Sequence, residues 1–123
     1  MTKGRKDKMR PGWLNMPYKY VFPLIQIMKE KGKLNKLKVS GTSMEPTIKK
    51  GAIVEVDTSA TDYLVGEIIV FINRNHLTTH RIVNIYNVDN EVYYVTKGDA
   101  NDREVEHVKA IDVIGKVISY QNP

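Results

Sequence analysis

Three short stretches carry side chains that could act together in chemistry. "SGTSMEPT" sets Ser43 in a small, polar turn, behind Gly41 and Thr42 and ahead of Met44 and Pro46. Small residues let the chain bend sharply and expose a hydroxyl, and a tight turn can aim backbone N–H groups at a developing oxyanion. Met44 is apolar and could line a pocket for a small substrate side chain. "TTHRIV" puts His80 in a strand-like run, where an imidazole can be held rigidly enough to serve as a general base. "TKGDANDREVE" follows Gly98 at once with Asp99, then with Asp102, Glu104 and Glu106. A carboxylate there could orient an imidazole and stabilise it when it becomes positive. Taken singly, each stretch has an ordinary structural account: a loop before a strand, a hydrogen-bonded surface histidine, an acidic turn.

Other chemistries lack support. The chain contains no cysteine, which removes disulfides and thiolate metal sites and leaves Ser, Thr and Lys as candidate nucleophiles. His76, His80 and His107 do not have the spacing of a zinc motif, so neither a metal nor a cofactor is expected. No glycine-rich phosphate loop and no RNA-binding signature occurs.

The elements that must position these residues are mostly strands. Val21, Leu24, Ile25 and Met28 fall at helical spacing, Pro23 suits a first turn and Gly32 a stop, so a helix is expected over about 20–31. Six β segments follow at 36–40, 52–57, 66–73, 78–86, 91–98 and 113–120, with Gly115 marking a bulge or a close backbone approach. Together they predict a mainly β fold, a coiled ribbon or barrel, as one domain over 18–123 with its β-rich core at about 36–120.

Charge is uneven. Residues 1–38 hold eleven Lys/Arg against two acidic residues, and the remainder holds eight against twelve. Residues 1–17 read as a basic flexible arm that could touch phosphates or an anionic surface, although a solvated tail is the more common case. No apolar run approaches the roughly 20 residues needed to span a bilayer, and no secretory signal pattern appears. A cytoplasmic protein without stable membrane insertion is therefore expected.

In their order along the chain, "VSGTSMEPTIKKGAIVEVD", "GEIIVF", "THRIV", "TKGDAND" and "VIGKV" resemble the characteristic segments of the signal peptidase I and SOS-repressor autoprotease superfamily, serine peptidase families S24 and S26. The likeness runs from about Val39 to Val117. Most bacterial members carry a lysine where His80 stands, so the chain looks like the endoplasmic-reticulum and archaeal type, which uses Ser, His and an aspartate. The resemblance implies an antiparallel arrangement of the coiled β-structure and a catalytic role for the 18–123 domain. It also implies that Ser43 attacks a scissile carbonyl, that His80 takes its proton and returns it to the leaving amine, and that a carboxylate sets the histidine tautomer. Asp99 is the first choice for that carboxylate and Asp102 the second. In the endoplasmic-reticulum type it lies several residues further on, which falls at Glu104 to Glu106. Gly41 occupies the place where many signal peptidases carry a serine oxyanion donor, so backbone N–H groups, including that of Ser43, would serve instead.

Neither the membrane anchor of signal peptidases nor the DNA-binding domain of the repressors is recognisable, and a soluble stand-alone endopeptidase acting on a peptide or protein substrate is expected. Two other classes remain open: a catalytically inactive peptide-binding module of the same fold, and a nucleic-acid-associated regulator using the basic arm.

Overall fold

A computed structural model describes residues 18–100 and 104–123, with side chains from Pro23 onward. The expected basic arm at 1–17 and the candidate Asp102 lie outside the described residues.

Helix α1 spans Tyr18–Glu30. It starts two residues earlier than its periodicity predicts, so Pro23 sits inside the helix and not in its first turn. Ile25 is fully buried and Met28 packs against the same core. The helix ends at Gly32, whose φ of 71° lets Lys33 N–H reach the Met28 carbonyl at 2.9 Å and Gly32 N–H reach that of Lys29 at 3.1 Å. This paired capping is the usual use of a left-handed glycine at a helix C-terminus.

Seven strands follow: β1 Lys36–Lys38, β2 Ile53–Asp57, β3 Ile68–Asn73, β4 His76–Val88, β5 Glu91–Lys97, β6 Glu106–Lys109 and β7 Val113–Gln121. They form one antiparallel sheet in the order β1-β2-β7-β3-β4-β5-β6. The mainly β class is as expected. The sheet is open, with β1 and β6 at its ends.

Two tight turns shape the hairpins. Arg74 and Asn75 (φ 52° and 63°) join β3 to β4, and Asp89 and Asn90 (φ 52° and 67°) join β4 to β5. Successive residues with positive φ match the right-handed twist of the flanking strands. The first turn starts β4 at His76, two residues before the expected 78.

β3 explains its own continuous apolar sequence. Side chains alternate across a strand, and here both faces are covered. Val70 and Ile72 face a core shared with Ile25, Leu34, Met44, Ile48 and Val54. Ile69 and Phe71 face a second core with Tyr63, Ile82, Tyr94, Val108 and Val113. The bulge marked by Gly115 is present: Val70 pairs with Gly115 and Phe71 with Val113, leaving Ile114 as the extra residue. A Cβ at Gly115 would run into the Asp57 carbonyl, so glycine is what lets β7 pass β2 this closely.

Candidate active site

The loop from β1 to β2 carries Ser43. Met44 is 1% exposed and Ile48 is fully buried, so two apolar side chains pin the turn to the first core. Between them the backbone closes on itself, Glu45 N–H to Thr42 C=O at 3.1 Å and Ile48 N–H to Met44 C=O at 2.9 Å. Anchoring Met44 inward leaves Gly41, Thr42 and Ser43 exposed. Met44 is therefore part of the core, and it reaches a substrate only as the buried floor of the groove described below.

His80 comes from β4. It precedes Ile82 by two residues and shares its face, and its ring meets Phe71 edge-on at 6.1 Å. Its Nε2 lies 3.0 Å from Ser43 Oγ and its Nδ1 lies 2.8 Å from Glu106 Oε1. A carboxylate can only accept, so Nδ1 carries the proton and Nε2 is left to accept from the serine hydroxyl. That is the tautomer a general base requires.

Glu106 holds its place through β6. In the β5–β6 register Thr96 faces Glu106, and the fully buried Thr96 hydroxyl donates to Glu106 Oε1 at 2.6 Å. Burial raises the Glu106 pKa, but the hydrogen bonds from His80 and Thr96 outweigh it, and the net position is below the ordinary glutamate value. Glu106 is accordingly ionised at neutral pH.

Asp99, the first-choice carboxylate in the sequence, is placed elsewhere. Arg81 points away from its neighbour His80, as alternation along β4 demands. It grips Asp99 with Nε to Oδ1 at 2.9 Å and Nη2 to Oδ2 at 2.8 Å, and Thr47 donates to Oδ2 at 2.7 Å. These bonds, that from Arg81 first, hold the Asp99 pKa below the ordinary aspartate value. Arg81 Nη1 also reaches the Gly66 carbonyl at 2.8 Å. Asp99 thus serves as a clamp on the serine loop, with Asp99 N–H on Met44 Sδ at 3.4 Å and Ala100 N–H on the Ser43 carbonyl at 2.9 Å.

Gly98 closes the centre. A Cβ there would lie 2.5 Å from the Ser43 carbonyl oxygen and 3.1 Å from His80 Nε2, so only glycine permits the approach. Gly41 is the opposite case, with nothing within 4 Å of a Cβ built on it.

A groove of about 620 Å³ ends at Ser43. Residues 36–41 form one wall and 76–79 the other, with Leu34, Met44 and Leu77 below. Gly41, Ser43 and Met44 line it, and Thr42 does not. Val39 commits its N–H to Ala52 and its C=O to Gly51, so the polar backbone groups of Lys38 and Ser40 point away from β2. On the other wall, β4 pairs with β5 only from Arg81 onward, so Leu77–Thr79 have no strand on their second side among the described residues.

The family model described as Peptidase S24-like matches residues 10–118, which include the serine loop, β4 and β6. The chain belongs to the Peptidase S24-like family. A comparison with curated proteins found no match. For a Peptidase S24-like chain, a peptidase or autoprotease type of fold and serine peptidase chemistry in general follow. Among the described residues, no helix is long and apolar enough to cross a membrane, and no group of three or more His, Asp or Glu could hold a metal ion.

The sequence does not single out Thr96 or Arg81, and it offers Glu106 only as one of several carboxylates. The signal for Arg81 is its adjacency to His80. Adjacent strand residues face opposite ways, so the carboxylate that Arg81 holds, Asp99, is kept away from the imidazole.

Proposed function

We propose that the chain is a serine endopeptidase that cuts extended peptides or leader segments, with Ser43 as nucleophile, His80 as general base and Glu106 as the group that orients His80. The observation that carries this reading is the unbroken line from Ser43 Oγ to His80 Nε2 at 3.0 Å and from His80 Nδ1 to Glu106 at 2.8 Å.

A substrate strand lies between residues 36–41 and 77–79 and hydrogen-bonds with the outward backbone groups of Lys38 and Ser40, which is strand addition to a sheet edge. Gly41 leaves open space beside the reacting carbonyl, and small substrate side chains fit over Met44. As Ser43 Oγ attacks the carbonyl carbon, its proton passes to His80 Nε2, and Glu106 stabilises the imidazolium without taking the proton. Backbone N–H groups, that of Ser43 among them, face the oxyanion. His80 then protonates the leaving amine. Water, deprotonated by His80, releases the acyl group from Ser43. A cytoplasmic setting belongs to the same proposal.

The test is cleavage of a peptide library by the wild-type chain and by Ser43→Ala and His80→Ala. Both substitutions should abolish cleavage and leave the thermal transition in place. Retained proteolysis in a well-folded Ser43→Ala protein would end this reading.

A further inference from the structure

The groove that ends at Ser43 has an apolar floor and a basic rim. Leu34 and Met44 belong to the first core and Leu77 packs against it. Above them stand Lys33, Lys36 and Lys38 on one wall and Arg74 on the other, all exposed. No aspartate or glutamate lines the groove. Past residue 38 the chain holds twelve acidic against eight basic residues, so Arg74 and the missing carboxylates run against the charge of the body. The ion pairs His80–Glu106, Arg81–Asp99 and Lys116–Glu67 do not use the rim. Glu55 faces Lys36 across the β1–β2 ladder, but its carboxylate accepts from the Ser119 hydroxyl at 2.5 Å.

Lysines on an edge strand guard it against pairing with other chains, which accounts for Lys36 and Lys38. Edge protection does not call for Arg74 at the tip of the β3–β4 hairpin. Nor does it call for a groove lining without carboxylates, although Arg74 also borders a second pocket that holds Glu104 and Glu106. A basic rim over an apolar floor fits a ligand with two faces. An extended peptide has them, because alternate side chains point to opposite sides.

We propose that the groove selects extended peptides that place acidic side chains close to the cut, alternating with small or apolar ones. The proposal rests on the peptidase reading above. The small residues turn down onto Leu34, Met44 and Leu77, and the carboxylates turn up to Lys36, Lys38 and Arg74.

Two end-blocked peptides of equal length test it, one alternating alanine with glutamate and one alternating alanine with glutamine. Binding is measured with Ser43→Ala, and cleavage with the wild-type chain. The glutamate peptide should bind about tenfold more tightly at low ionic strength, since each exposed charge pair contributes a few-fold at most. The difference should shrink as added salt screens it. The triple variant Lys36→Glu, Lys38→Glu, Arg74→Glu should reverse the preference toward an alanine–lysine peptide. Arg74→Gln, which leaves β1 untouched, should weaken it. Equal affinities, no binding of either peptide, or a preference unchanged in both variants would overturn the proposal. The underlying reading fails separately. Charge-selective binding without cleavage would remove the catalytic role and keep the acidic preference. Cleavage of both peptides at equal kcat/KM would keep catalysis and remove the preference.

Discussion

His80 Nδ1 lies 2.8 Å from Glu106 Oε1, and β6 brings that carboxylate there by pairing Glu106 with Thr96 on β5. Removing the charge while keeping the shape isolates its role. Glu106→Gln should fold normally and lower kcat by on the order of 10²–10⁴, because an amide can present a donor to Nδ1 and favour the wrong tautomer. Peptide cleavage and thermal unfolding, measured on the same preparation, check it.

Asp99→Asn should behave in the reverse way. It weakens a charge-assisted pair with Arg81 and the Thr47 bond, so a stability loss of about 1–3 kcal/mol is expected. Any fall in activity should follow from a loosened Ser43 loop and not from a changed base. Urea unfolding shows the loss, and activity at the pH optimum should fall much less than in Glu106→Gln. A loss of kcat as large as that of Glu106→Gln in a folded protein would return Asp99 to the imidazole.

Acid should destabilise the fold through the same two carboxylates. Both Asp99 and Glu106 have folded-state pKa values below their ordinary ones. A depressed carboxylate contributes stability that is complete above its unfolded value, about 4, and is lost as pH falls through its lower folded value. Unfolding free energy should therefore be level above about pH 5 and drop below about pH 4. In Asp99→Asn the drop should be shallower. Urea titrations across this range make the comparison, and an equal slope in the two proteins would contradict it.

Two glycines give a contrast in packing. Gly98→Ala puts a methyl against the Ser43 carbonyl, and overpacking of that kind costs about 1–3 kcal/mol and displaces the serine from His80. Gly41→Ala meets open space, and its stability should stay within about 0.5 kcal/mol of wild type. Thermal unfolding of both variants distinguishes them.

The fold class and most strands can be read from the sequence because short runs rich in apolar and β-branched residues recur at regular spacing, and because "VDN" and the glycines mark the turns. β6 cannot. "EHVK" has one buried residue, Val108, and its neighbours are charged or exposed, so it reads as part of an acidic turn. The missing strand hides the carboxylate it delivers. Ser43 and His80 stand out because their surroundings are local: a small-residue turn and an alternating run. The partner of His80 is a matter of register between β5 and β6, a relation that no spacing along the chain encodes. Sequence proximity to Gly98 favours Asp99 instead, and the Arg81 guanidinium captures it.

The most direct measurement is labelling with a fluorophosphonate probe, with the adduct located by mass spectrometry. The wild-type chain should carry the adduct on Ser43, and the labelling rate should fall by at least about 10² in His80→Ala. A folded wild-type chain with no adduct on Ser43, or one labelled equally fast without His80, would contradict the account.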